Sequence, residues 1–295
     1  MTERLQKILS QWGIASRRQA EQMITEGRVR LNGAIGQLGQ RADPAIDQIE
    51  VDGQPLQQRD RPQRLYLLVN KPVGVVSTCH DPQGRSTVLA LLPEAMRQDT
   101  GLHPVGRLDV MSTGALLLTN DGEVTACFTH PRHQITKVYQ AWVEGSPSPE
   151  VLQQWRQGVW LDDRLTLPAE VRVLDVKARS GQQNLQTGLK QTSLEIVLRE
   201  GRNRQIRRVA EQLGHPIIRL HRVAIGAINL GQLPSGKYRL LTKAEIEYLR
   251  TQQARSGIQA PDIQALGIQT SDIQTSDIQI PESGKRVKVK ANHYD

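Results

Sequence analysis

One carboxylate, one phenol and one guanidinium stand out as groups that could carry a reaction together. Asp109 lies in the stretch His103-Pro104-Val105-Gly106-Arg107-Leu108-Asp109-Val110-Met111-Ser112-Thr113-Gly114, ahead of the buried-strand run 115–119. A carboxylate on a loop held between a glycine-containing approach and a buried strand points in a fixed direction, which suits a nucleophile or a base. The same spacing also describes an Asp that only caps its own turn through Ser112 and Thr113. Tyr139 follows Lys137 and Val138 at the start of a strand. In a chain with so few aromatic residues it could be a platform for a nucleobase, or simply a half-buried strand Tyr. The third stretch is Glu200-Gly201-Arg202-Asn203-Arg204-Gln205-Ile206-Arg207-Arg208-Val209. On a helix Ile206, Val209, Ala210 and Leu213 share one face. Arg204 and Arg208 then point away from that stripe, toward solvent or phosphate. Arg207, at the stripe's edge, is placed to reach inward to a buried carboxylate, fix its orientation and keep it ionised.

These groups need elements to hold them. Residues 1–58 read as a compact helix–helix–strand module. Leu5, Ile8 and Leu9 form one helical stripe, and the Ser16/Gln19 capping box opens a second helix with Ala20, Met23 and Ile24 on its apolar face. Gly27 ends that helix, and short strands follow at 29–31 and 49–51, the first running into the turn Asn32-Gly33 and the second ending at Asp52-Gly53. Residues 59–64 are a polar linker. The larger region, 65–250, has strands expected at 65–69, 75–78, 115–119, 137–143, 169–174, 193–198, 217–223 and 237–241. Its helices are expected at 87–92, 122–129, 149–157, 203–213 and 242–250. Without a regular βαβ rhythm this is an α+β fold around a mixed, largely antiparallel sheet with flanking helices. The polar insertion 178–191 lacks a pattern of its own, and from 251 to 295 the chain falls into short Ile-Gln repeats that read as a disordered tail.

Composition narrows the partners. The 295 residues carry 38 Lys and Arg against 30 Asp and Glu, a net charge of +8. The excess is clustered: seven basic residues against three acidic ones over 1–41, and seven arginines against two glutamates over 199–222. Two arginine-rich zones inside folded sequence point to an anionic polymer rather than a small metabolite. No apolar run is long enough to span a bilayer, so no membrane is involved. Two cysteines cannot make a disulfide framework, and with no secretory leader pattern the chain is expected in the cytoplasm. Cys127, His130 and His133 could be imagined as metal ligands, but Pro131 breaks their shared face and no metal is expected. His103 is a candidate proton donor or a structural hydrogen-bonding group.

Taken in order, these stretches resemble the motifs of the RsuA/RluB family of rRNA pseudouridine synthases. Gly106-Arg107-Leu108-Asp109 and Gly201-Arg202-Asn203-Arg204-Gln205-Ile206-Arg207-Arg208 are the most specific pieces. Lys71-Pro72 with Gly74, and Asp81-Pro82-Gln83-Gly84-Arg85, add to them, and the latter with His103-Pro104 leans toward large-subunit rRNA. Residues 1–58 resemble the S-four type RNA-binding module that precedes the catalytic domain. The resemblance implies a cofactor-free isomerase acting on rRNA as a monomer, with Asp109 as the catalytic carboxylate. It implies that Tyr139 stacks on the target uracil, that Arg207 pairs with Asp109, and that Arg107 helps hold the displaced nucleotide. RNA is expected to be gripped by Arg4, Lys7, Arg17, Arg18, Arg28, Arg204 and Arg208. The rival is a non-catalytic RNA-binding or ribosome-assembly protein on the same fold.

Overall fold

The structure, a computed structural model, describes residues 2–57, 62–98, 100–178 and 190–257. The chain opens with the short strand β1 (Glu3–Arg4), which leads into α1 (Leu5–Gln11) and α2 (Arg17–Thr25). The reciprocal Ser16/Gln19 capping box forms as expected and satisfies donors at the start of α2. Four strands, β2 (Val29–Leu31), β3 (Ala34–Ile35), β5 (Ile49–Val51) and β6 (Gln54–Pro55), make a small sheet, while β4 (Arg41–Ala42) pairs with β1. Asn32 and Gly33 both have positive φ, as the tight hairpin between β2 and β3 requires. Leu5, Ile8, Leu9, Ala20, Ile24, Val29, Ala42 and Ile49 share one buried cluster here. The β1–β4 pair was not legible in the sequence, because two-residue strands carry no period.

The rest of the fold is built on β7 (Tyr66–Lys71), β8 (His103–Pro104), β9 (Ser112–Thr119), β10 (Lys137–Glu144), β13 (Glu170–Ala178), β14 (Lys190–Leu198), β15 (Ile217–Ile225), β16 (Ile228–Asn229) and β17 (Tyr238–Leu240). A separate hairpin, β11 (Trp160–Leu161) with β12 (Arg164–Leu165), precedes β13. The long path through the sheet is β13-β14-β10-β15-β9-β7-β17, with β16 on β15 and β8 on β9. Every pairing in it is antiparallel except β15 with β9. The fold is therefore α+β with a mixed, largely antiparallel sheet.

Strands β7 and β9 are buried on both faces, which explains their nearly continuous apolar runs. Leu67, Val69, Leu116 and Leu118 pack with Val88, Leu102 and Leu108 on one side. Leu68, Ala115 and Leu117 pack on the other with residues of α3 (Gly122–Thr129) and α6 (Lys243–Arg255), among them Phe128 and Leu249. A third cluster joins β10, β14 and β15 to α4 (Pro149–Gln157) and α5 (Gln205–Gln212).

Three expectations need correction. The strand expected at 75–78 is a single bridge, Val76 with Thr87. The helix expected at 87–92 is a short 3-10 turn, Val88–Leu91, since four residues bury only Val88 and cannot sustain an α-helix. Helix α6 continues to Arg255, past the expected tail boundary, because Leu249 and Gln253 are buried along one side. Residue 58, the first part of the expected linker (59–61), most of the insertion (179–189) and the tail from 258 lie outside the described residues.

Candidate active site

The loop that carries Asp109 is pinned on both sides. Leu108 is buried in the core, and a buried leucine side chain contributes about 1.5–3 kcal/mol. Its backbone is clamped by Ser77, whose hydroxyl donates to the Leu108 carbonyl (2.9 Å) and accepts from the Leu108 N–H (3.1 Å). On the other side of Asp109, the fully buried Lys71 ammonium donates to the carbonyls of Val110 (3.3 Å), Ser112 (2.9 Å) and Pro72 (2.8 Å). Burial pushes the Lys71 ammonium down to about 8, while nearby Asp109 works in the opposite direction.

The turn at Asp109 is closed by its backbone. The Ser112 N–H donates to the Asp109 carbonyl at 3.0 Å, and among the described residues nothing donates to the Asp109 carboxylate. The turn-capping reading therefore does not account for this side chain. It is 31% exposed, partly open to a cleft rather than buried as the sequence had implied.

Two arginines of the 200–209 stretch face it. Arg207 Nε lies 3.7 Å from Asp109 Oδ2, an ion pair rather than a hydrogen bond, and Arg204 Nη1 lies 3.8 Å from the same oxygen. Arg207 also donates from Nη2 to the Met111 carbonyl (3.2 Å) and the Ser112 hydroxyl (3.3 Å), so one guanidinium grips three groups of one loop. Burial and then the neighbouring Arg204 weaken Arg207's hold on its proton, more than Asp109 strengthens it; an arginine stays charged regardless.

Arg204 is where the helical projection fails. It is not inside the helix but caps it, with φ of 48°, and this left-handed backbone turns its side chain toward Asp109 instead of away. Helix α5 starts at Gln205 rather than 203.

Asp109 opens onto a cleft of about 800 Å³ whose lining includes Arg107, Tyr139, Lys137 and Arg222. Arg107 is exposed at its edge. Tyr139 on β10 sits in register with Arg222 on β15, and the Arg222 Nη1 lies 3.4 Å from the Tyr139 hydroxyl. Lys137 and Arg222 carry no site role in the sequence reading. A charged residue within a strand run is the signal that could have singled them out, because such a group is costly unless the fold has a use for it.

The remaining expected RNA contacts are dispersed. Arg4, Arg17 and Arg18 are exposed on the N-terminal module and make no ion pair with a described residue. Lys7 is paired with Glu3 and Glu123, and Arg28 with Asp52 and Glu26. Arg208 makes two bonds to Asp162, at 2.6 and 2.8 Å. His103 is engaged at both ring nitrogens, by the Gly101 carbonyl and the Thr125 hydroxyl. Among the described residues no group of three or more His, Cys, Asp or Glu is placed to hold a metal ion, and no helix is long and apolar enough to cross a membrane.

The RNA pseudouridylate synthase family model matches residues 65–212, and the S4 domain model matches residues 3–44. The chain belongs to the RNA pseudouridine synthases, which are isomerases, and within them to the RsuA/RluB family that carries an S4 module. It is 39% identical over 252 residues to an RNA pseudouridine synthase of Aquifex aeolicus, covering 84% of this chain and 94% of the relative. It is also 39% identical over 250 residues to the ribosomal large subunit pseudouridine synthase B of Bacillus subtilis, covering 84% and 96%. A crystal structure of a pseudouridylate synthase superimposes with a TM-score of 0.58 at 29% identity, covering 83% of this chain and 99% of that one.

Proposed function

We propose that this protein converts a uridine of large-subunit ribosomal RNA to pseudouridine, with Asp109 as its catalytic carboxylate and no cofactor. The observation that carries the reading is a carboxylate left unused by its own turn, faced by Arg204 and Arg207, at a cleft whose wall carries Tyr139. The name of the Bacillus relative supports the choice of RNA.

Breaking the bond between C1′ and N1 of uridine develops positive charge on the sugar. An ionised carboxylate in a fixed position stabilises or traps that charge, as in glycosidases. The arginine pair aims Asp109 and complements its charge. Tyr139 stacks on the uracil, holding it while it turns to bond through C5. A base inside folded RNA has to be extruded to reach Asp109, and Arg107 at the cleft edge holds the displaced nucleotide.

Arg4, Arg17 and Arg18 meet RNA phosphates directly, whereas Lys7, Arg28 and Arg208 exchange a carboxylate partner for a phosphate on binding. Nothing in this chemistry calls for a second subunit or a membrane, so we place the protein in the cytoplasm as a monomer.

The test is tritium release from rRNA labelled at C5 of uridine, isolated from cells lacking the enzyme. Wild type is expected to release tritium and Asp109→Asn essentially none. Equal release by both removes Asp109 from its role; none by wild type, with RNA still bound, favours the non-catalytic RNA-binding reading.

A further inference from the structure

The part of the cleft lining supplied by β10 and β15 holds two cations that form no ion pair with a described residue. Arg222 is 5% exposed; its Nε donates to the Ala115 carbonyl at 2.6 Å and its Nη1 lies 3.4 Å from the Tyr139 hydroxyl. Its Nη2 is buried and has no hydrogen-bond partner among the described residues. Lys137 lies two residues before Tyr139 on β10, so the two side chains leave the same face of the strand. It is half-buried, lines the same cleft, and makes no ion pair or hydrogen bond with a described residue. Leaving a buried donor unpaired is costly, and two like charges side by side add to that cost, so such an arrangement calls for an explanation. The cleft as a whole is lined by eight basic side chains and three carboxylates. Asp81 is held by Arg85 and Glu200 by Arg202, while Asp109 is paired with Arg204 and Arg207, so none neutralises Lys137 or Arg222.

We propose that Lys137 and Arg222 form a subsite for the carbonyl oxygens of the target uracil and hold the negative charge the base acquires on detachment. This rests on the reading of the protein as a uridine isomerase with Tyr139 under the base. The placement favours the base over a phosphate: the Arg222 guanidinium carbon lies 5.9 Å from the Tyr139 ring centroid and its Nη1 3.4 Å from the Tyr139 hydroxyl, within reach of a base stacked on that ring. A phosphate is separated from its base by a sugar and meets the cleft nearer its rim.

In the reaction the N1–C1′ bond breaks and its electron pair leaves with the uracil, shared among N1, O2 and O4. The base turns and C5 bonds to C1′. The C5 proton then departs and N1 takes up a proton, so the product is an isomer of the substrate. Donors fixed before the reaction at O2 or O4 lower the barrier because they need not reorganise as the charge appears.

Leaving-group dependence separates this role from simple RNA binding. The full-length protein would be given labelled rRNA carrying either uridine or 5-fluorouridine, and the single-turnover rate of carbon-linked nucleoside formation measured after nuclease digestion; fluorine blocks the final loss of the C5 proton, so that nucleoside is closed by water adding at C6 and only the steps through C5–C1′ bonding are compared. Fluorine withdraws charge from the ring, so its anion needs less help. Lys137→Met is expected to lower kcat on uridine by about 10²-fold, the usual loss for one donor to a developing charge. KM on uridine should stay within a few-fold, and the loss in single-turnover rate should be several-fold smaller on 5-fluorouridine than on uridine. Lys137→Arg should restore most of the rate.

Equal losses on the two substrates overturn the proposal. A change confined to KM overturns it too, and assigns the cations to phosphate. Arg222→Lys, which keeps the charge but shortens the donor, provides the same comparison if Lys137→Met does not fold. Absent turnover by wild type would count against the isomerase reading; normal turnover by wild type and Lys137→Met alike would count against this subsite alone.

Discussion

Arg204 and Arg207 converge on one oxygen of Asp109, at 3.8 and 3.7 Å, from the N-cap and the first turn of α5. They are not equivalent. The Arg207 side chain is 14% exposed and tied to Met111 and Ser112, whereas Arg204 is 52% exposed and holds only the ion pair. Solvent screens an exposed pair, which is worth at most about 1 kcal/mol. Arg207→Gln is therefore expected to lower single-turnover conversion by about 10²-fold, in the range for a lost preorganised charge contact. Arg204→Asn, which tolerates the left-handed backbone, should cost less than about tenfold. Comparing both variants on C5-tritiated rRNA checks the ranking; equal losses would show that the two arginines act as a unit.

Lys71 holds the Asp109 loop from beneath without touching the cleft. Lys71→Met removes one ammonium and strands the carbonyls of Pro72, Val110 and Ser112. Each buried group left unsatisfied costs about 1–3 kcal/mol. The expected result is a clear fall in thermal unfolding midpoint together with a lower kcat. An unchanged midpoint would mean that the loop is held by Leu108 and Ser77 alone.

Burial, and then the Arg222 guanidinium, push Lys137 down to about 8. The charged form is the one that serves the proposed subsite, so function is present below that value and lost as pH rises through it. In the free enzyme kcat/KM should fall about tenfold per pH unit above about 8. Lys71 titrates in the same range, so the variants decide the assignment: Lys137→Arg should abolish this limb, and Lys71→Arg should leave it in place. The groups beside Lys137 in the cleft are Tyr139 on its own strand and Arg222 on β15. A pH profile of kcat/KM for the three proteins settles it.

Much of this arrangement was legible in the sequence, and the parts that were not have identifiable causes. The capping box at Ser16/Gln19 formed because it joins a hydroxyl and a side-chain carbonyl to specific backbone donors three residues apart, a purely local matter. The strand that follows the Asp109 loop was marked by its buried run. Arg207 was legible because its angle relative to Ile206 and Val209 is fixed by helix geometry. Arg204 was not, since its direction depends on a backbone φ that no periodicity reports. Lys137 and Arg222 meet only through the register of β10 with β15, which is tertiary information. The ion pairs that occupy Arg28 and Arg208 depend on Asp52 and Asp162, both at hairpin turns with positive φ, and charge clustering alone is blind to them.

The exposed arginines of the N-terminal module give a test of its role. Arg17 and Arg18 begin α2 and carry no counter-charge from a described residue. Reversing both to Glu should weaken rRNA binding and flatten its dependence on salt, since each phosphate contact contributes roughly one unit or less to that slope. Filter binding across a series of salt concentrations measures both. Unchanged affinity and slope would place the RNA elsewhere on the surface.

Gly114 is the residue on which the two halves of the candidate site depend. It pairs with Lys71 on one side of β9 and with Arg222 on the other, at the parallel joint between β9 and β15. Its φ is +104°, and a Cβ there would lie 2.8 Å from the Arg222 backbone nitrogen and closer still to its carbonyl oxygen. Backbone atoms cannot swing aside as a side chain can, so Gly114→Ala has to part the strands or shift the dihedral, and strain of this kind costs about 1–3 kcal/mol. The displacement falls on the strand that carries Arg222, whose Nε bond to the neighbouring Ala115 carbonyl spans the same joint. Activity should therefore suffer more than stability: a midpoint lowered by several degrees, with kcat reduced well beyond what the unfolded fraction explains. Measuring circular dichroism melting and tritium release at the same temperature separates the two effects. If turnover per folded molecule stays at the wild-type level, Arg222 does not need to be held in register with Tyr139.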